Sequence, residues 1–174
     1  QTPKEYFKFI DKFVDFGSLA DGTRILDIGC ATGDFLWYIN SLNPNLELVG
    51  LDVDDELLQR VKEELPKAKV YNADISQDVQ IGLDFDFIFM NGVHSIFEDI
   101  DWLGNVLALM REGSSKAFIF GLFNPEDLDI VLRVRPSGHD GHWESGWNCP
   151  SKKSVGLFLD SKHRKHSFSD FQLD

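Results

Sequence analysis

The chain is poor in cysteine. Cys30 and Cys149 are the two in 174 residues, and no CxxC pair occurs. That excludes a zinc ribbon and a thioredoxin-type motif, and two thiols in a chain of this size fit a reducing, cytoplasmic setting. No apolar run is long enough to cross a bilayer, so no membrane role is expected. Positive charge is also scarce: 17 Lys and Arg stand against 29 Asp and Glu, for a formal net charge of −12. A domain this acidic repels phosphate backbones, so nucleic acid is not an expected partner. One dense basic stretch exists, Lys162-His163-Arg164-Lys165-His166. It reads either as a contact for an acidic ligand or as a solvated turn. Repeats, low-complexity tracts and linkers are absent, so residues 1–174 are expected to form one domain.

What is present is large apolar area, including 15 Phe and 4 Trp, arranged in alternating patterns. Thr2 as cap and Pro3 in the first turn predict a helix over 3–17, with Tyr6, Phe9, Ile10, Phe13 and Val14 at helical spacing and Gly17 as its end. Arg24–Ile28 reads as a short buried strand. Leu46–Asp52, Lys69–Asn72, Phe85–Met90 and Lys116–Phe120 read as four more. Between them lie helical patterns: Phe35, Leu36 and Ile39; Leu57, Leu58, Val61 and Leu65, capped by Asp54 or Asp55; and Ile100, Leu103, Val106, Leu107 and Met110. Strands alternating with helices imply an α/β fold, a doubly wound, Rossmann-like, mostly parallel sheet covered on both faces. A looser stretch near 135–153, rich in Gly, His, Trp and Ser, suggests a functional loop within a substrate or lid region of about 124–153. Ser154–Leu159 reads as a short helix and Ser167–Leu173 as a strand.

In open α/β sheets, ligands bind beyond the carboxyl ends of the strands, at the switch point. Asp27-Ile28-Gly29-Cys30-Ala31-Thr32-Gly33 falls there, and Asp52 ends the next strand. Glycine at 29 and 33 removes side chains where a ligand lies against backbone; a tight strand-to-helix turn is the plainer reading. A carboxylate at 52 can accept from both ribose hydroxyls, and Asp52 and Asp74 can equally cap the helices that follow. A dinucleotide site requires G-x-G-x-x-G for the pyrophosphate, and this chain has Gly29, Ala31 and Asp34 at those positions. A carboxylate at the sixth position is unfriendly to pyrophosphate. S-adenosylmethionine carries a sulfonium, an ammonium and a carboxylate but no phosphate, and it suits an acidic strand end.

Ile25-Leu26-Asp27-Ile28-Gly29-Cys30-Ala31-Thr32-Gly33 resembles motif I of the class I S-adenosylmethionine-dependent methyltransferases, with Ala31 in place of the middle glycine. Val49–Val53 resembles motif II, which implies Asp52 at the ribose and Val53 against the adenine. Asn72-Ala73-Asp74-Ile75 resembles motif III, which implies Asp74 at the adenine amino group and Ile75 beside the ring. Phe85–Gly92 resembles motif IV, with Asn91 and Gly92 opening toward the methyl group. The likeness runs from about Arg24 to Phe123 and places the cofactor-binding half at 24–92. It implies S-adenosyl-L-methionine as cofactor, gripped by Asp27, Gly29, Cys30, Ala31, Gly33, Asp52, Val53, Asp74, Ile75 and Asn91. The family sheet has seven strands, the last two an antiparallel hairpin. Five strands plus Ser167–Leu173 can be placed before the chain stops at Asp174, so the C-terminal edge is expected to be truncated or altered.

The implied reaction is methyl transfer to a small-molecule or biosynthetic-intermediate acceptor, at oxygen or nitrogen. His94, at the exit of the fourth strand, is either the catalytic base or a structural histidine on a backbone carbonyl. His139, His142, Trp143 and Trp147 are the candidate acceptor-binding residues, as an aromatic lid or as anchors of the loop. His139 and His142 with Glu144 have permissive metal spacing but no supporting ligand run, so no metal is expected. Two other readings stand beside this one: a nonenzymatic S-adenosylmethionine-binding module of a larger assembly, and a dinucleotide oxidoreductase.

Overall fold

Five short runs of the chain are apolar at consecutive positions, so each can be buried only inside a sheet covered on both sides. In the computed structural model, which describes residues 3–77, 79–111, 113–134 and 145–171, they form one parallel sheet. Its strands are β1 (Arg24–Ile28), β2 (Glu47–Asp52), β3 (Lys69–Asn72), β4 (Phe87–Asn91) and β5 (Lys116–Phe120), in the order β3-β2-β1-β4-β5. The chain winds outward from β1 through β2 to β3, then crosses back to β4 and β5. The reversal puts a crevice between the carboxyl ends of β1 and β4, the ligand position of doubly wound sheets.

Alternate strand residues supply the two faces. Ile25, Leu48 and Phe89 pack beneath α1 (Glu5–Val14), α2 (Asp34–Leu42) and α3 (Asp55–Glu64), through Phe7, Ile10, Phe35, Leu36, Ile39, Leu58 and Val61. Leu26, Ile28, Val49, Leu51, Ile88 and Met90 pack on the opposite face, against Trp102, Leu103 and Val106 of α4 (Trp102–Ala108) and Val155 of α5 (Lys152–Ser161). The phenylalanines cluster on the first face, where the Phe89 ring lies 5.1 Å from Phe35 and 5.2 Å from Phe118. Edge and offset contacts at this spacing add to the area they bury. Asp54 caps α3, accepting from the N–H groups of Glu56 and Leu57. No helix among the described residues is long and apolar enough to cross a membrane.

The structure departs from the sequence reading at four places. The first helix is shorter than 3–17: Lys4 is its N-cap, Pro3 precedes it, and Asp15 in the left-handed conformation ends it. Asp11 explains the stop, because its carboxylate accepts the Phe16 N–H and turns the chain into a 3-10 turn at Phe16–Ser18. The region after β5 holds an antiparallel hairpin, β6 (Ile130–Val134) with β7 (Ser145–Cys149), forming a separate two-stranded sheet. The helix read at Ser154–Leu159 extends over Lys152–Ser161 because the Ser151 hydroxyl caps it, accepting from the Ser154 N–H. The strand expected at Ser167–Leu173 does not form over its described part, 167–171. There Phe168 and Phe171 act as separate anchors, with rings 6.2 Å from Phe123 and 5.5 Å from Phe120, and Lys152 pairs with Asp170 at 2.8 Å.

Candidate functional site

The site grows from the ends of β1, β2 and β4. Asp27 is on β1, opposite Gly50 of β2 and Phe89 of β4. Its side chain points to the face covered by α1 and α2 and is 2% exposed. Asn91, the last residue of β4, donates from Nδ2 to Asp27 Oδ1 at 3.3 Å, and Asn91 Oδ1 is buried without a hydrogen-bond partner. Burial pushes the Asp27 carboxyl up to about 8; the Asp52 charge adds to the shift, while Asn91 and Lys4 oppose it. A carboxylate held in this way favours a cation as its neighbour.

The turn between β1 and α2 is closed by its own backbone. Gly29 N–H and Cys30 N–H donate to Leu51 O at 2.7 and 3.1 Å, and Gly33 N–H donates to Cys30 O at 2.8 Å. Ala31 N–H donates to Asp52 Oδ2 at 2.8 Å. Four amides that could have cradled an anion are therefore already engaged. This is the opposite of a pyrophosphate-binding loop, whose amides face the ligand. Gly29 and Gly33 have φ of 71° and 80°. A Cβ at Gly29 would lie 2.2 Å from Val93 Cγ2, and one at Gly33 would lie 3.0 Å from Val61 Cγ2. Both glycines are thus required by the protein's own packing. Ala31 takes the same left-handed region with φ 47°, which costs a residue bearing a Cβ. Cys30 is buried with its thiol pushed up by burial and by Asp27 and Asp52, and its Sγ fills the space above Gly50.

Asp52 Oδ1 also accepts from Val53 N–H at 2.8 Å and Asp54 N–H at 3.1 Å, so this carboxylate gathers three N–H groups from two backbone segments at the tip of β2. Val53 projects outward, 63% exposed. Asp74 is exposed and uses Oδ1 to accept Ser76 N–H at 2.9 Å. Ile75 is 3% exposed and packs into the core cluster with Leu26 and Val49, while its carbonyl accepts from Asn105 Nδ2. Asp27, the 29–33 turn, Asp52, Val53 and Asn91 are thus brought together. Asp74 and Ile75 follow β3 on the far side of β2.

His94 begins a 3-10 turn, His94–Ile96, just after β4 and is 2% exposed. Its Nε2 lies 3.0 Å from Leu122 O, so the nitrogen there carries the proton and donates, and Nδ1 is buried without a partner. The ring stacks on Phe123 at 4.6 Å and sets its Cε1 against Gly121, where a Cβ would come 1.9 Å from that atom. Burial lowers its pKa, which keeps the imidazole neutral. Trp147 lies on β7, 37% exposed, beside Leu132 of β6. His139, His142 and Trp143 lie outside the described residues. Two residues near Asp27 escaped the sequence reading. Lys4 pairs with Asp34 Oδ2 at 3.4 Å, and the Tyr6 ring stacks on Phe120 at 4.6 Å. Helical periodicity gave Tyr6 only as a core position, and nothing in the local sequence marked Lys4.

Comparison with known proteins follows the same outline. Residues 26–115 match the family described as a methyltransferase domain. Protein 235L of Invertebrate iridescent virus 6, provisionally named a methyltransferase, is 23% identical over 134 residues, which cover 73% of this chain and 48% of that protein. The plantazolicin methyltransferase BpumL in complex with S-adenosylhomocysteine is 25% identical with a TM-score of 0.56, over 67% of this chain and 45% of BpumL. Coclaurine N-methyltransferase superposes with a TM-score of 0.70 at 16% identity, over 92% of this chain and 48% of its own, a likeness of fold. The chain spans about half the length of these relatives.

Proposed function

Because the chain belongs to the methyltransferase-domain family, we propose that it binds S-adenosylmethionine across the carboxyl ends of β1, β2 and β4 and passes the methyl group to a small-molecule acceptor at oxygen or nitrogen. The observation that carries this reading is Asp27: a buried carboxylate at the switch point, beside an Asn91 oxygen that lacks a donor. A cationic ammonium supplies what both groups lack. The engaged amides of the 29–33 turn favour a donor without phosphate over a dinucleotide.

In this assignment Asp27 and Asn91 Oδ1 hold the ammonium, Asp52 accepts from the ribose hydroxyls, and exposed Val53 covers one face of the adenine. Asp74 has an oxygen left for the adenine amino group, and Ile75 packs beneath its turn. Cys30, Gly29, Ala31 and Gly33 shape the turn rather than contribute side chains. When bound, the cofactor supplies a methyl group on an already activated sulfonium, so the protein's task is chiefly to aim the nucleophile and exclude water. His94, donating to Leu122 O, serves as a positioning residue that ties the exit of β4 to the exit of β5. Trp147, with His139, His142 and Trp143, belongs to the acceptor side. The two buried free thiols support a reducing compartment such as the cytoplasm.

The test is calorimetry with S-adenosylhomocysteine, followed by labelled methyl transfer to a panel of amines and hydroxyl compounds. Heat with transfer supports the enzyme. Heat without transfer to any acceptor supports a binding module, and heat from NADH alone overturns the reading.

A further inference from the structure

Over the turn leaving β1, α1 holds two groups that the assignment above does not use. Lys4 is the N-cap residue of α1, with its ammonium 3.4 Å from Asp34 Oδ2 and its charge bearing on Asp27. Tyr6 is fixed by stacking on Phe120, ring to ring at 4.6 Å and 8°, and its hydroxyl makes no hydrogen bond among the described residues. Burial, then the charges of Asp27 and Asp34, hold that phenol at about 12, so it remains a donor at any physiological pH. Phe7 locks the helix in place, its ring 5.0 Å from Phe35 at the start of α2.

The methionine end of the donor is a zwitterion. Its ammonium has acidic partners, but its carboxylate would enter a neighbourhood of Asp27, Asp34 and Asp52. Of the five amides of the turn, four are already engaged: Gly29, Cys30, Ala31 and Gly33 all donate within the protein. A carboxylate among these acidic groups needs a counter-charge, and α1 presents a cation with a hydroxyl beside it. We propose that Lys4 and Tyr6 form the carboxylate-binding end of the donor site, Lys4 as the counter-charge and Tyr6 as the hydrogen-bond donor. This rests on the S-adenosylmethionine reading and extends it to the first helix. Asp34 holds the Lys4 ammonium until a second carboxylate shares it.

The experiment compares the intact chain with K4M, Y6F and the double variant, using three probes by calorimetry. These are S-adenosylmethionine, its decarboxylated form, and 5′-methylthioadenosine, which lacks the whole amino-acid end. The wild type is expected to prefer the carboxylated donor over the decarboxylated one by about tenfold or more, the scale of a charged hydrogen bond. The double variant should reduce that preference to within about threefold, with affinity for 5′-methylthioadenosine unchanged; K4R should retain it. Unchanged affinity for 5′-methylthioadenosine reports an intact fold in each variant. A preference that survives in K4M/Y6F overturns the assignment of Lys4 and Tyr6. A wild type that binds none of the probes overturns the cofactor reading itself, a different result.

Discussion

The Asp52 carboxylate accepts the backbone N–H of Ala31 at 2.8 Å, joining the tip of β2 to the turn that leaves β1. One side chain therefore shapes the turn and, in the proposed site, grips the ribose. Replacing Asp52 with Ala should weaken S-adenosylhomocysteine binding by about 1–3 kcal/mol, with a parallel drop in melting temperature as three N–H groups lose their acceptor. Affinity unchanged by calorimetry would remove Asp52 from the site.

Ala31 sits at φ 47°, where a Cβ is penalised and glycine is not. A31G should stabilise the protein by up to about 1 kcal/mol, offset in part by the greater freedom of glycine in the unfolded chain. Urea denaturation measures the midpoint, and a midpoint lowered by the substitution would show that the methyl group contributes packing here.

Asp27 predicts two opposite pH trends. Its folded pKa, about 8, lies above the ordinary 3.8, so the folded state holds a proton that the unfolded state has lost between those values. Its contribution to the stability of the ligand-free protein is therefore full below about 4 and falls as pH rises to about 8. Cofactor affinity moves the other way, rising over the upper part of that window, because the ammonium requires the ionised carboxylate. Binding then releases a proton, detectable by calorimetry in buffers of different ionisation enthalpy. D27N should flatten the stability trend and abolish the proton release; release that persists in D27N would point to another group.

His94 and Gly121 are predicted to behave as one unit, because the ring occupies the space that a Cβ at 121 would need. H94A and G121A should each destabilise the protein, by about 2–4 kcal/mol for the lost ring and about 1–3 kcal/mol for the forced displacement. The double variant should cost less than the sum, since the Cβ enters a space already emptied. With His94 as a positioning residue, H94Q should retain transfer and the wild-type pH profile. Loss of one limb of that profile would make His94 a base.

The five parallel strands were legible because buried strands must be short and apolar at successive positions, and Asp27, Asp52 and Asn91 follow from where those runs stop. The hairpin was not. Ser145–Cys149 is built of Ser, Gly, Trp, Asn and Cys, a composition that signals a loop, and its partner Ile130–Val134 lies across a long connection. Phe168 and Phe171 looked like the alternation of a strand, yet they are three residues apart and bury against different partners. The Lys4–Asp34 pair and the Tyr6–Phe120 stack arise from the docking of α1 onto the sheet, which no local period encodes. The contacts of His94 with Leu122 O and Gly121 come from the exit of β5, which the residues around position 94 do not encode.

Phe120 is touched by Tyr6 stacked at 4.6 Å and by Phe171 edge-on at 5.5 Å, while Phe171 also reaches Phe9 at 4.9 Å. Segments some 160 residues apart in sequence thus meet on a single ring. Fraying of one would loosen the other, so their backbone amides should exchange with deuterium together, as one cooperative patch. A protease that clips near Phe168 would, by the same coupling, unseat the first helix at a distance.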